Sequence, residues 1–503
     1  MGHLSNLDYA VLVTYLLGIV ALGSSFAHRQ RNTQDFFLAG RRMSWFPVAL
    51  SIIASDFSAI SFLGTPSYVF KYNMLLLPGL LVLPMVVVPL VIWLFMGVFY
   101  NLRLITAYEY LERRFTGGLR AAASLLFILM RLSWLATAIY ATSVALSQIS
   151  GLSVSAGVLI IGVTTSLYTA LGGMRAVIWT DVAQFFVFTS TIFTLCIVLL
   201  EGFNWNAWRI WQIAESAGRT RVFDFSLSLT NVTFWSVVIG YVCINLASYG
   251  ADQVIVQRYL TTKDFRQARR SMMGNAALVI PVMMPLFFVG VGLYAYYQTE
   301  KIAIQPDRVL PYFVVTKLPH GLAGLAIAGI FAATMGSISS CLNSITTASI
   351  TDFYQRYFRT RASPQHYLRC ARLGTLTWGI LGTGAGLVVG RLGTIVEISL
   401  KTNGFFTGVL LAIFLLGILT RRATWQGVGF GAFVGLAVVA WVGLKTPVSF
   451  LWYSPLGCLT TMLFGYSISQ FFPRPEAQKI EGLVLGSPVE GSAASRSGGY
   501  ING

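Results

Sequence analysis

Ala54-Ser55-Asp56-Phe57-Ser58-Ala59-Ile60-Ser61-Phe62-Leu63-Gly64-Thr65-Pro66 cuts across an apolar run that extends from Ser44 to Phe70. Small and polar residues replace the aliphatic pattern, and Asp56 falls near its middle. At membrane depth an unwound turn is tolerated only where it lines a cavity, because its freed carbonyls and amides need partners. The stretch therefore reads as a broken membrane helix beside a binding site. Asn245-Leu246-Ala247-Ser248-Tyr249-Gly250-Ala251-Asp252-Gln253 interrupts the run Thr233–Val256 in the same way. Five spans separate the two starts, so two five-helix units would insert with opposite orientations. That is the arithmetic of an inverted repeat around a central site. Small residues that only let helices pack closely would explain either stretch alone. They explain the correspondence of the two less well.

Composition supports the membrane reading. Of 503 residues, 55% are hydrophobic and 11% charged, where a soluble chain carries about 25% charged residues. Mean hydropathy is +0.70. Thirteen apolar spans are expected: Leu7–Phe26, Ser44–Phe70, Met74–Tyr100, Leu119–Gln148, Val154–Leu171, Ala176–Leu200, Thr233–Val256, Met272–Gln298, Leu322–Thr351, Leu373–Val389, Thr394–Leu419, Gln426–Leu444 and Trp452–Phe472. The loops on one side of these spans, including the tail from 473, hold 24 Lys and Arg, and those on the other hold 9. The positive-inside rule then puts the N-terminus outside and the C-terminus in the cytoplasm. The net charge of +17 lies in these short loops and not on a basic stripe, so nucleic acid is not an expected partner. The cysteines and the four histidines are scattered, which indicates neither a disulfide framework nor a zinc site. The N-terminus lacks a basic region and a cleavage site, so the first span reads as a retained helix. No paired histidines, nucleophile motif or nucleotide loop points to an enzyme.

Two further stretches carry candidate chemistry. Gly172-Gly173-Met174-Arg175-Ala176-Val177-Ile178-Trp179-Thr180-Asp181 closes a turn and then places an aspartate in a run with no other charge as far as Leu200. On insertion scales a carboxylate at such depth costs about 2.5–3.5 kcal/mol, which marks it as a functional candidate. Its partner is a cation, or Arg175, or the start of its own helix. In the span Leu322–Thr351, Ala333, Ser337, Ser340 and Ser344 share one helical face. Their hydroxyls and carbonyls can replace part of the water shell of a hard monovalent cation, or can serve as packing glue.

With these motifs the chain resembles the sodium/solute symporter family, including its sodium/sialic acid and sodium/proline symporters. The resemblance rests on Ala107-Tyr108-Glu109-Tyr110-Leu111-Glu112-Arg113-Arg114-Phe115, on Gly172 to Asp181 followed by Gln184, on Tyr249 to Leu260 and on the serine stripe ending Leu342-Asn343-Ser344. It implies an all-α membrane protein of the leucine-transporter type, a 5+5 inverted repeat with an extra N-terminal helix. The parts are 1–43 (extra helix and cytoplasmic loop), 44–201 (first repeat), 202–232 (outer interfacial segment carrying Trp205, Trp208 and Trp211), 233–424 (second repeat), 425–473 (two further helices) and 474–503 (a flexible cytoplasmic tail).

The resemblance also implies a sodium site built from Ala54, Phe57, Ala333, Gly336 and Ser337. Gly336 stands where the family usually has a serine, so one hydroxyl is missing. Asp56 is expected to compensate, directly or through a water, unless it caps the second half of the broken helix. Asp181, Ser339 and Ser340 match a second sodium site of some members, although the shared serine again falls on Gly336. The solute pocket implied is Ser58, Ser61, Leu76, Leu80, Trp134 and Asn245, with Arg131 one turn before Trp134. The sialic acid symporters have glutamine at the Leu80 position and arginine at the Trp134 position, so sialic acid is not supported. A sugar, an organic acid or an amino-acid-like solute remains open. Glu397 and Lys401 pair with each other or line the outer vestibule.

The expected function is sodium-coupled import by alternating access, with Na+ as the co-transported ion, in a multi-pass monomer of the cell membrane surrounded by the lipid bilayer. The alternatives are a proton-coupled symporter of the same fold, in which Asp56 titrates, and a channel or sensor without coupled transport.

Overall fold

The computed structural model describes residues 4–389 and 395–485; over these the chain is helical, without a β-strand. α1 (Asn6–Ser24) precedes a broken pair, α2 (Trp45–Asp56) and α3 (Ala59–Lys71), which meet at 58°. α4 (Pro78–Asn101) follows. Its turns widen at Leu83–Val87 and Ile92–Met96, around Pro84 and Pro89, whose missing amides cannot serve a regular helix. Next come α5 (Tyr108–Arg114), α6 (Gly117–Ser150) and α7 (Val154–Gly202). At 49 residues α7 would be about 74 Å long, over twice the thickness of a bilayer core of about 30 Å. It is interrupted at Gly173, whose φ of 56° and ψ of −160° are not helical. A Cβ at Gly173 would come within 2.8 Å of the Phe36 carbonyl oxygen, so the chain needs glycine there.

α8 (Ala207–Ser216) buries Ile210 and Ala214 and leaves Trp208 exposed, with Trp205 exposed just before it. The second broken pair is α9 (Phe234–Gly250) and α10 (Gln253–Leu260), bent by 50°. After it come α11 (Phe265–Thr299), α12 (Val309–Lys317), α13 (Leu322–Ala348), α14 (Pro364–Val389), α15 (Ile395–Leu419), α16 (Trp425–Lys445) and α17 (Tyr453–Ser469). Among the described residues seven helices are long and apolar enough to cross a membrane, or up to nine if each bent pair is one span.

The two breaks form by the same local means. Phe57 and Ser58 are extended, and α2 closes with the Phe57 amide on the Ile53 carbonyl (2.9 Å). Asp252 is likewise extended, and its carboxylate accepts from the Val254 amide (2.8 Å), which caps α10. Every residue of α10 is buried, and its two glutamines hold it in place. Gln253 accepts from the Ala107 amide (2.8 Å) and donates to the Ile105 carbonyl (2.9 Å). Gln257 donates to the Phe37 carbonyl and to Asn343 and Thr347, and accepts from Ser344. Buried amides must be paired, and these pairs tie α10 to α13 and to the loop before α5.

α13 is the central helix, buried at every residue from Ala326 to Ala348. Its small residues admit close neighbours: a Cβ at Gly329 would collide with Thr191 at 2.3 Å. At one end of the bundle, Asp352 accepts from Thr106 (2.7 Å), Arg120 Nε (2.9 Å) and Ser124 (2.8 Å). Arg120 also reaches Glu112 (2.7 Å), which Arg356 binds from the other side. The Arg356 and Arg120 guanidiniums hold the Glu112 carboxyl below its ordinary value. A depressed carboxylate keeps its stabilising charge on the alkaline side, so this link is fully present above the ordinary glutamate range and is lost only as the pH falls below it. Residues after α17, which composition assigns to a flexible tail, return in part to the body. Leu485 donates its amide to the Ile418 carbonyl (2.8 Å), and Tyr110 donates to the Leu483 carbonyl (2.9 Å). The tail beyond Leu485 lies outside the described residues.

At the other end, α1 holds the start of α13. Asp8 is buried, and its Oδ1 accepts from the amides of Gly321 (2.7 Å) and Gly324 (2.8 Å). Its Oδ2 accepts from the amide and hydroxyl of Ser5. A carboxylate at a helix N-terminus is favourable both as a cap and against the helix dipole. We predict that Asp8→Ala, which strands the Gly321 and Gly324 donors, lowers the stability of the detergent-solubilised protein by about 2 kcal/mol. Thermal unfolding measures this, and an unchanged melting temperature would refute the anchoring role.

Candidate functional site

The first break opens onto a cavity of about 200 Å³ lined by Ile53, Asp56, Phe57, Ser61, Thr65, Leu76, Gly79, Leu80, Leu83, Tyr241, Asn245, Val279, Met283 and Phe287. α2, α3, α4 with the segment leading into it, α9 and α11 all contribute. Asp56 is exposed into this space even though Pro47 to Ser55 before it are all buried. Tyr249 donates to its Oδ2 (3.1 Å), and Asn275 donates to the Tyr249 oxygen (3.2 Å). The Phe57 ring stacks on Phe188 of α7 with centroids 4.6 Å apart, which braces the break.

A second constellation lies on the opposite side of the α2 break, at Gly336 of α13. A Cβ at Gly336 would stand 2.9 Å from Gln184 Oε1, 3.0 Å from the Ala54 carbonyl oxygen and 3.4 Å from Asp181 Oδ1. Three oxygens therefore converge where this chain has no side chain. Asp181 Oδ1 and both amide atoms of Gln184 are buried without a hydrogen-bond partner. Buried polar atoms are nearly always paired; the two acceptor oxygens, Asp181 Oδ1 and Gln184 Oε1, call for an electropositive guest, whereas the Gln184 amide nitrogen is a donor and takes no part in that. Ser337, also on α13, gives its proton to the Thr334 (3.0 Å) and Ala333 (3.3 Å) carbonyls, which leaves its oxygen free to accept. A hard cation such as Na+ is matched by a carboxylate, an amide oxygen, carbonyls and a hydroxyl.

The other oxygen of Asp181 is already engaged. Oδ2 accepts from Ser51 (2.6 Å) and from Arg258 of α10 (3.1 Å). Arg258 is wholly buried; it also donates to Ser51 (2.9 Å), to the Val254 carbonyl (2.6 Å) and to Ser340. Ser340 is further bonded to Ser55 and to the Gly336 carbonyl, and Ser339 to the same carbonyl.

The residues singled out from the sequence thus fall into three groups. Ser61, Leu76, Leu80, Asn245 and Asp56 line the cavity. Ala54, Gly336 and Asp181 meet at the oxygen cluster, with Ala333 and Ser337 on the adjoining turn of α13. Ser58 is buried at the start of α3 and is not among the cavity-lining residues. Arg131 and Trp134 line a different cavity of about 190 Å³, with Ser248 and Asp252. There Arg131 Nε donates to Asp252 Oδ2 (2.8 Å), and a second guanidinium nitrogen binds the same oxygen. Two expectations change. The oxygens facing the hydroxyl gap at Gly336 belong to Asp181 and Gln184, while Asp56 turns into the cavity toward Tyr249. The charged protein partner of Asp181 is Arg258; Arg175 instead lies over the Phe26 ring. Glu397 and Lys401 lie on α15, with side chains outside the described residues. Sequence reasoning missed Arg258 and Asp252, although a carboxylate at the break and a guanidinium six residues on, in the short second half, were the available signal.

The Sodium:solute symporter family model matches residues 36–437. The chain belongs to that family. It is a multi-pass membrane symporter that couples a solute to Na+, and not an enzyme. It is 33% identical to the sodium/sialic acid symporter NanT of Aliivibrio fischeri over 475 residues, 93% of this chain and 94% of that one. It is 32% identical to the human sodium-coupled monocarboxylate transporter 1, over 89% of this chain and 74% of that one. A Na+-coupled sialic acid symporter solved in a substrate-bound outward-open state superposes with a TM-score of 0.88 at 28% identity, over 94% of this chain and 99% of that one. Mhp1, a nucleobase-cation-symport-1 transporter, shares the fold with a TM-score of 0.55 at 13% identity.

The geometry at Gly336 yields a paired prediction. Gly336→Ala drives a methyl against Gln184 Oε1 and displaces it, so half-saturating sodium should rise about tenfold, roughly 1.4 kcal/mol. Gly336→Ser brings an oxygen with the added bulk and should lie much closer to the parent. Sodium titration of uptake, or of the thermal shift, separates the two; equal behaviour of both variants would dismiss the cluster as a cation site.

Proposed function

We propose that this symporter binds one Na+ among Ala54, Phe57, Ala333, Gly336 and Ser337, with Asp181 and Gln184 completing the shell. The small organic solute binds in the neighbouring cavity around Asp56, Ser61, Leu76, Leu80 and Asn245, with Ser58 at its edge. The single observation that carries this reading is the pair of buried, unpartnered acceptors, Asp181 Oδ1 and Gln184 Oε1, which converge with the Ala54 carbonyl oxygen around Gly336. Sodium bound there bridges α2, α7 and α13 and favours one arrangement of them. Release then follows the sodium gradient and the membrane potential, which supplies about 2.3 kcal/mol per charge per 100 mV.

A single sodium is favoured over two. A second site would require Asp181, Ser339 and Ser340, but the free Asp181 oxygen is already given to the first ion, and the Ser339 and Ser340 hydroxyls donate to the Gly336 carbonyl, with Arg258 also on Ser340. The bias of Lys and Arg in the loops supports thirteen spans with the N-terminus outside and the C-terminus inside. The parts are those drawn from the sequence, two five-helix repeats at 44–201 and 233–424, in a protein that works as a monomer.

Reconstitution tests the scheme. Uptake into proteoliposomes should need an inward sodium gradient, grow with a negative interior potential and show one sodium per solute in a reversal-potential measurement. Uptake driven by a pH gradient in sodium-free medium would overturn sodium coupling, and a ratio of two would overturn the single site.

A further inference from the structure

The charge of the solute can be read from the cavity. Among the described residues lining it, Asp56 is the sole carboxylate, and neither Lys, Arg nor His is present. The other polar groups are the hydroxyls of Ser61, Thr65 and Tyr241 and the amide of Asn245. Arg131, the one cation on this part of the sequence that could meet an organic anion, is spent on Asp252 in the adjoining cavity. The Asp56 carboxylate has one hydrogen bond, from Tyr249 to Oδ2, and is otherwise open to the cavity. A solute that fills the cavity removes the water from that carboxylate. Desolvating an ionised carboxylate without a partner is costly, and bringing an anion beside it adds repulsion.

We propose that the solute carries a positively charged nitrogen, as an amino acid or a betaine does, and that Asp56 is the group that receives it. The cavity volume, about 200 Å³, lies below the roughly 300–1,000 Å³ of sites for drug-sized ligands, which fits a solute of that size. Asp56 then determines specificity for the solute, whereas the cluster at Gly336 serves the ion. The inference rests on the symport reading above and sets this chain apart from relatives named for sialic acid and monocarboxylates.

The test uses pairs of solutes that differ only in the charged nitrogen: proline against cyclopentanecarboxylate, and betaine against 3,3-dimethylbutyrate. Glucose, lactate, the other amino acids and choline complete the panel. Binding is read as a thermal shift of the purified protein and transport as uptake into proteoliposomes, each in sodium and in potassium. At least one nitrogen-bearing solute should bind, its carbon isostere should not, and Asp56→Asn should raise its KM at least tenfold while half-saturating sodium moves less than twofold. A retained sodium-induced thermal shift shows that the variant is folded. Should Asp56→Asn not fold, the isostere pairs in the parent protein decide the matter alone. Sodium-dependent uptake of lactate or glucose in preference to every nitrogen-bearing solute overturns the inference and leaves symport standing. Absence of binding by every nitrogen-bearing solute overturns it as well. A large sodium shift in Asp56→Asn with an unchanged solute KM would reassign Asp56 to the ion. Binding of a nitrogen-bearing solute equally in sodium and potassium, with uptake indifferent to sodium, upholds the inference and removes the symport reading instead.

Discussion

The buried pair of Asp181 and Arg258 is the contact on which the rest of the structure depends. Both side chains are fully buried, and between them they engage α7, α10, α2 and α13 through Ser51 and Ser340. Removing one member of such a pair leaves an uncompensated charge in an apolar surround, at a cost of about 3–5 kcal/mol. Its geometry also leaves a residue of function. Arg258 satisfies Oδ2 and leaves Oδ1 facing Gln184 and the Ala54 carbonyl. The ion pair fixes the carboxylate in position, and the unshared oxygen offers it to a guest.

The two broken helices make this arrangement possible. A continuous α2–α3 helix would bury the Ala54 carbonyl in its own hydrogen bonds, and a continuous α9–α10 helix would carry Arg258 away from Asp181. At the second break Asp252 meets the freed backbone by capping α10, and at the first the Phe57 ring stacks on Phe188 and braces the turn. Asp252 has a second role as the partner of Arg131, so the same carboxylate that permits one break also withdraws a guanidinium from the neighbouring space.

Much of this was legible in the sequence. Polar and small residues inside an apolar run mark both breaks, because lipid tolerates irregular backbone only beside a cavity. The Gly172-Gly173 pair marked the interruption of α7, where the structure finds left-handed backbone at Gly173. The missing hydroxyl at Gly336 was also visible. What covers the gap was not, since Asp56 and Asp181 are both carboxylates in apolar runs and only the direction of each side chain separates them. Arg258 was counted among loop cations because it falls next to a charged turn; burial in a half-helix has no separate signature in a run of eight residues. Asp8 and Asp352, each joined to residues hundreds of positions away, were beyond the reach of any local pattern.

Asp56 and Asp181 are both carboxylates near the α2 break, yet their surroundings assign them different work. Asp181 is sealed among helices and already half neutralised by an arginine. Asp56 is open to a cavity large enough for a small molecule and has a phenol as its one protein partner. An ion that must be stripped of water favours the closed, oxygen-rich corner, where several fixed dipoles act together without the cost of reorganising. A solute with its own shape favours the open wall, where one charge sets orientation and the apolar lining supplies contact. In the proposed scheme this separation would keep ion and solute from competing for one carboxylate. Both oxygen sets remain attached to the same short break between Ile53 and Ser58, so movement of that break is felt at both.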